Sequence, residues 1–256
     1  MSVLRAWDFD WLWHGFSTRL GGVSTVYRRP DDLNLGWTKE DTDANVAENR
    51  RIFALRTTLN AVSDTVLTRQ THGVVINRVH AGLEPLITEN GRAVLEGDGL
   101  VTNEPGILIG VQTADCIPVI LVDPVQKAVG VFHAGWRGTV AGIVEAGVLR
   151  MASEFGSAPA DMLGAIGPGI GPCCFETGNE VRTAFRERWT YAEELFEGRL
   201  INLWEANRRQ LVDSGLRPES VTVLGECTAH QLDRFFSHRA EKGVTGRMIA
   251  AAGVKG

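Results

Sequence analysis

Between residues 107 and 132 the chain carries three short apolar runs, Ile107–Val111, Val119–Val122 and Ala128–Phe132, and Asp123-Pro124 turns it between the last two. Short runs rich in Val and Ile, bounded by turn residues, are the signature of strands in a sheet. Further strands are expected at Val66–Arg69, Val74–Val79, Leu163–Ile166 and Val221–Leu224. A helix is expected from about Ala44 to Leu59, capped by Asp43, with Val46, Phe53 and Leu59 among its apolar positions. Others are expected at Thr139–Phe155, ended by Gly156, at Glu180–Trp189, at Leu203–Leu216 and, briefly, from Ala229. Strands and helices mix without strict alternation, which favours a layered α/β fold with mixed sheets over a simple doubly wound one. The 256 residues contain no Pro/Ser-rich spacer, so residues 1–256 read as a single domain.

Composition excludes several classes. With 44% hydrophobic and 22% charged residues the chain is not globally disordered. A net charge of −5 offers no overall attraction to nucleic acid or an anionic membrane, and neither is expected as a partner. The apolar runs are too short to span a bilayer, and Met1 to Asp8 shows no basic-then-apolar leader, so a cytoplasmic location is expected. There the four cysteines, Cys116, Cys173, Cys174 and Cys227, would stay reduced.

Two of the six histidines follow β-like runs in small-residue loops: His72 in Gln70-Thr71-His72-Gly73, and His133 in His133-Ala134-Gly135-Trp136-Arg137-Gly138. Cys116, in Thr113-Ala114-Asp115-Cys116, occupies a third such place. Rigid strand ends position side chains well, and the adjoining loops leave room for a ligand. Two imidazoles and a thiolate suit zinc with a fourth position open, a set that activates water near neutral pH. The same residues also permit a Cys116 nucleophile with His133 as base and Asp115 orienting it, or plain loop residues bonded to backbone.

The stretch Gly164 to Glu176 is rich in Gly and Pro and matches neither a Walker loop nor a dinucleotide fingerprint. It reads as a rigid turn in which Cys173 and Cys174 are buried small apolar residues. Arg19, Arg137 and Arg239 are candidate anion clamps. No histidine precedes x-Glu, which excludes the usual zinc deaminase signature. No H-x-H pair occurs either, so one copy cannot build a four-copper laccase site.

Taken together, Ser17 to Ser24, Leu33-Asn34-Leu35-Gly36, Gln70-Thr71-His72-Gly73, Gly97-Asp98-Gly99, Thr113-Ala114-Asp115-Cys116, His133 to Gly138, Gly167 to Glu176, Cys227-Thr228 and Phe235 to Arg239 resemble the YfiH-like laccase-domain family. The resemblance implies a four-layer α/β/β/α fold with mixed sheets and a zinc site at His72, Cys116 and His133, with copper suited to the same donors. It implies a purine nucleoside phosphorylase acting on adenosine, inosine and 5′-methylthioadenosine with phosphate, and an adenosine deaminase activity. Its alternatives are a copper-dependent polyphenol oxidase and a cysteine hydrolase correcting peptidoglycan precursors through Cys116. For phosphorolysis, Arg19 and Arg137 are the expected phosphate or substrate contacts, and Asp98 and Glu176 the expected proton-handling groups. Two departures stand out: Thr71, where the family more often has Val, and Ala240, where a second Arg often follows.

Overall fold

The central strands set the architecture. β1 (Leu12–Phe16), β2 (Leu20–Ser24) and α1 (Asp43–Thr58) open the chain. β3 (Ile76–Arg78), β4 (Gly99–Thr102), β5 (Leu108–Thr113), β6 (Ile117–Asp123) and β7 (Ala128–Ala134) follow, then α2 (Trp136–Ala141), α3 (Ile143–Phe155) and β8 (Leu163–Ile166). α4 (Asn179–Arg188), β9 (Phe196–Glu197), β10 (Leu200–Ile201), α5 (Leu203–Asp213), β11 (Val221–Val223) and β12 (Met248–Val254) complete it. These elements come from a computed structural model that describes residues 4, 7–62, 64–83 and 92–256.

Six strands form a mixed sheet in the order β11-β8-β6-β7-β4-β3, and three form an antiparallel sheet in the order β1-β12-β5. Only the larger sheet is therefore mixed: β3 runs parallel to β4 and β11 parallel to β8. Period-2 alternation explains the stacking. On β6, Ile120 and Val122 join Ile109, Val111, Ala250 and Ala252 between the sheets. Val119 and Leu121 point the other way, into a core with Val144, Val148, Phe185 and Leu211 from α3, α4 and α5. The outer face of the small sheet, with Trp13, Leu108 and Ile249, packs on Phe53 and Ala54 of α1. The order is therefore helix, sheet, sheet, helices, the four layers expected. Each fully buried Leu, Ile or Phe of these cores contributes roughly 1.5–3 kcal/mol.

Several local expectations change. Thr42, not Asp43, caps α1, its hydroxyl accepting from Asn45 N–H at 3.2 Å. Leu59 lies beyond the helix with a left-handed φ of 54° and is exposed. The helix expected over 139–155 is two helices, because Gly142 adopts φ 83° and closes α2 before α3 begins. Of the two strands expected near residues 66–79 only Ile76–Arg78 is a strand, with Val66 and Arg69 held by single bridges. The segment from Ala229 forms turns rather than a helix. β12 was not expected: its Ala250-Ala251-Ala252 core is a weak strand former by composition. Among the described residues no helix is long and apolar enough to cross a membrane.

Candidate metal centre and active site

Three segments meet at one end of the large sheet. β6 and β7 pair antiparallel with Ile117 opposite Ala134 and Pro118 opposite His133, so Cys116, just before β6, adjoins the end of β7. The third segment, Gln70 to Gly73, is pinned twice. The Gln70 side chain donates to the Gln112 carbonyl (2.8 Å) and accepts from Gln112 N–H (2.7 Å) at the end of β5. Asp98, just before β4, accepts from Thr71, His72 and Gly73 N–H at 3.1, 2.9 and 2.8 Å and from the Thr71 hydroxyl at 3.0 Å. This clamp holds His72 at φ 62°, an uncommon backbone for a non-glycine residue. Thr71, the departure from the family pattern, uses its hydroxyl in that clamp.

One donor atom each of His72, Cys116 and His133 lies within 4.8 Å of the others. The imidazoles of His72 and His133 meet edge to face with centroids 4.9 Å apart. His133 Nδ1 and Asp98 Oδ1 are 2.8 Å apart, which leaves His133 Nε2 as the free nitrogen. A carboxylate behind a ligating imidazole fixes its tautomer and raises its basicity, the usual support of a metal-bound histidine. Asp98 thus has the orienting role that sequence spacing had offered to Asp115. Asp115 instead accepts from the Thr228 hydroxyl (2.6 Å) and from Arg239 N–H (2.7 Å), tying the C-terminal segment to the Cys116 loop.

Electrostatics agree with the geometry. Burial disfavours the Asp98 carboxylate, but His133 and the loop N–H groups overcome it and hold the carboxyl well below the ordinary carboxylate range. Burial likewise opposes the Cys116 thiolate, and His133 outweighs it, bringing the thiol down to about 6. Burial lowers His133, yet Cys116 and Asp98 together lift it to about 9. Such a donor set, two imidazoles and an ionised sulfur, fits zinc with a place open. The wall fits too: a Cβ on Gly135 would stand 3.1 Å from Cys116 Sγ and 3.1 Å from His72 Cδ2, so glycine keeps the donors' surroundings clear.

The three donors line a cavity of about 820 Å³. Six arginines also line it, Arg50, Arg69, Arg92, Arg137, Arg239 and Arg247, against one carboxylate among the described residues, Asp115, which is already bonded. Burial above all, with Arg92 adding against Asp64, pulls Arg50 down to about 10. Aromatic rings flank the cations: Arg137 lies 4.2 Å from the Trp136 ring centre, Arg50 4.8 Å from that of Trp37, and Arg239 5.4 Å from that of Phe175. Two buried polar atoms on the lining, Trp37 Nε1 and Thr68 Oγ1, have no hydrogen-bond partner among the described residues. A positive, partly aromatic cavity with spare donors suits an anion beside a flat ring.

The remaining sequence candidates divide. Arg137 and Arg239 line the cavity, and Arg239 is braced by donating to the Glu176 carbonyl at 3.0 Å. Arg19 does not line it. It is fully buried, forks onto both Asp32 oxygens at 2.6 Å and reaches Glu241 at 3.0 Å, so its charge is spent joining the N-terminal segment to residues 232–241. The Glu176 side chain is exposed and ion-paired with Arg199 at 3.0 Å, away from the lining, which removes the ground for a proton-handling role. Cys173 is exposed and Cys174 partly so, contrary to the buried apolar role expected of them. Sequence reasoning passed over Trp37, Thr68, Arg50, Arg92 and Arg247. Nothing in their local pattern marks them, whereas Gln70 was visible inside the His72 motif.

Fold and site together define a class: four-layer α/β/β/α proteins that carry a candidate metal centre on the lining of a cationic cavity. The chain belongs to the multi-copper polyphenol oxidoreductase laccase family, whose sequence model matches residues 13–255. It is 36% identical over 251 residues to purine nucleoside phosphorylase YlmD of Bacillus subtilis, covering 94% of this chain and 88% of that one. It is 36% identical over 239 residues to purine nucleoside phosphorylase YfiH of Escherichia coli, covering 91% and 90%. The crystal structure of the Bacillus licheniformis hypothetical protein YfiH superposes with a TM-score of 0.86 at 35% identity, over 95% of this chain and 93% of that one.

Proposed function

We propose that this protein is a zinc-dependent purine nucleoside phosphorylase acting on adenosine, inosine and 5′-methylthioadenosine, with adenosine deamination at the same site. The observation that carries the reading is the placement of the His72–Cys116–His133 donors on the lining of an arginine-rich cavity. The names of its relatives, purine nucleoside phosphorylases in Bacillus subtilis and Escherichia coli, support it.

His72, Cys116 and His133 would hold the ion, which when bound supplies Lewis acidity on the cavity wall. The chain's own residues do the rest. Asp98 keeps the proton on His133 Nδ1 and locks the Gln70–Gly73 loop, so both imidazoles stay oriented. Arg137 and Arg239 bind phosphate beside the ribose, and their planar forks hold it in line with C1′. As the glycosidic bond loosens, the bound phosphate faces the positive charge on the ribose, attacks C1′ and releases the base. Trp37 and Phe175 offer rings for the purine, and Trp37 Nε1 and the Thr68 hydroxyl offer the donors it needs.

Purified protein incubated with adenosine or inosine, with and without phosphate, tests this. Free base and ribose 1-phosphate should appear only with phosphate, and inosine should appear from adenosine without it. No phosphate-dependent base release would sink the reading. Full turnover with zinc under strict exclusion of copper separates it from a phenol oxidase.

One observation favours a second reading. Cys116, His133 and Asp98 form a continuous sulfur–imidazole–carboxylate series, the arrangement of a cysteine hydrolase with Cys116 as nucleophile. That enzyme would survive chelation and form a covalent adduct on Cys116. The phosphorylase would lose activity on chelation and form none.

A further inference from the structure

A second group of sulfur and nitrogen donors stands apart from the cavity. β8 and β11 are parallel neighbours, with Val221 opposite Gly164 and Val223 opposite Ile166, so both chains leave the sheet at the same end. They stay together beyond it. Gly169 N–H donates to the Glu226 carbonyl at 3.2 Å, and Thr228 N–H donates to the Gly169 carbonyl at 3.1 Å. That pairing holds Cys227 beside the turn in which Cys174 and Phe175 N–H both donate to the Gly171 carbonyl at 3.0 Å. Gln231 N–H donates to the Cys227 carbonyl at 3.1 Å and curls the chain so that His230 comes back toward the sulfurs.

One donor atom each of Cys173, Cys174, Cys227 and His230 lies within 4.8 Å of all the others. The Cys173 Sγ and His230 Nδ1 atoms are 3.4 Å apart. A tetrahedral zinc with Zn–S bonds near 2.3 Å holds its sulfurs about 3.8 Å apart, so small side-chain rotations would close the set. The surroundings are those of a thiolate ligand. Gly171 N–H donates to Cys227 Sγ at 3.2 Å, an orienting bond of the kind that supports a metal-bound sulfur. Gly171 is required for that approach, since a Cβ there would stand 2.7 Å from the Trp204 ring and 3.2 Å from Cys227 Cβ.

We propose that Cys173, Cys174, Cys227 and His230 form a structural zinc site, distinct from the centre at His72, Cys116 and His133. Three thiolates and one imidazole select a thiophilic, tetrahedral divalent ion over calcium or magnesium. Four protein donors close the coordination sphere, which is the mark of a structural rather than a catalytic site. The ion would staple two turns, one on the cavity wall and one behind it. One carries Phe175 on the lining, next to the carbonyl that braces Arg239. The other carries Thr228, whose hydroxyl bonds Asp115 beside Cys116.

Elemental analysis of full-length protein purified without oxygen or added chelator tests the site. Two equivalents of zinc per chain are expected, one lost in Cys116→Ala and the other in Cys227→Ser. Cobalt(II) substitution supplies a readout independent of activity and of those variants' yields. Cys116→Ala loaded with cobalt should show an intense thiolate-to-cobalt charge-transfer band and tetrahedral visible bands, and the additional change Cys173→Ser should remove one of three thiolate contributions. His230→Ala, at an exposed side chain, should keep the fold and surrender zinc at a lower chelator concentration. A single zinc equivalent that Cys116→Ala abolishes would overturn the proposal. So would a Cys116→Ala protein without the cobalt–thiolate band, or a Cys227 found in a disulfide in protein purified under those conditions.

Discussion

Among the described residues stand two clusters of cysteine and histidine, and they differ in number of donors and in what stands behind and before them. His72, Cys116 and His133 offer three donors, with the Asp98 carboxylate behind and a cavity of about 820 Å³ in front. Cys173, Cys174, Cys227 and His230 offer four, with a backbone N–H behind one sulfur, and none of them lines the cavity. Three donors leave a ligand position for chemistry, whereas four complete a tetrahedron and leave none. Charge supply differs as well. The first cluster has one sulfur, a buried carboxylate and arginines facing it, so a bound ion can still act on an incoming anion. The second has three sulfurs, enough to quench a divalent ion's charge. In the two proposals, donor count and local charge together are what separate a reacting centre from a staple.

That contrast can be broken at several points. Removing a reacting donor should cost most: Cys116→Ala should lower kcat/KM for nucleoside phosphorolysis on the order of 10³-fold or more, as losses within a unit of cooperating residues do. Steady-state kinetics beside metal analysis would check it, and activity near wild type would erase the distinction between the clusters. Asp98→Asn keeps shape but exchanges the acceptor behind His133, and a drop of about 10–100-fold in zinc affinity or activity is expected. Competition with a metal chelator measures the affinity part. Arg137→Ala should raise KM for phosphate by about 10-fold or more, since a hydrogen bond to a charged group is worth roughly 1.5–3 kcal/mol. The zinc content of that variant should stay unchanged.

Effects at the staple should fall on stability rather than turnover. Cys227→Ser should lower Tm by several degrees, at about 2–4 °C for each kcal/mol lost in a chain of this size. Differential scanning calorimetry with and without added zinc reads this, and the zinc-dependent part of Tm should vanish in the variant. Gly135→Ala should show the smallest change. Its Cβ would sit 3.1 Å from Cys116 Sγ, a tight contact that a few tenths of an ångström of movement relieves. A modest loss of zinc affinity without loss of Tm is expected, and a large loss of both would mean that the loop cannot yield.

Some of this was legible before any coordinates. The expected strand Leu163–Ile166 matches β8 at both ends, and the β6–β7 pair is legible with its turn, because short runs of Val, Ile and Leu and the Asp123-Pro124 turn are local signals. His72, Cys116 and His133 are legible as candidates because each follows an apolar run and stands beside small residues, although the structure puts Cys116 between β5 and β6, His133 inside β7, and His72 after single bridges rather than a strand. Other features were not. β12 sits in the middle of the small sheet between β1 and β5, yet its alanines carry little strand preference; burial between neighbours far away in the chain decides its state. Arg19 reads locally as an anion clamp, but Asp32 and Glu241 are partners that no local window contains. The adjacent pair Cys173 and Cys174 reads locally as small apolar residues, because the cysteine and histidine that join them come from a neighbouring parallel strand's exit, more than fifty residues on.

The amino-acid order by itself determined the layered α/β class and the segments that carry the candidate donors, since short apolar runs, turns and side-chain type act over a few residues. Tertiary structure alone decided which cysteines and histidines come together, which arginines line the cavity and which, like Arg19, are buried in ion pairs away from it. Those outcomes depend on distances between segments, and strand pairing across the sheets sets such distances with no trace in local composition.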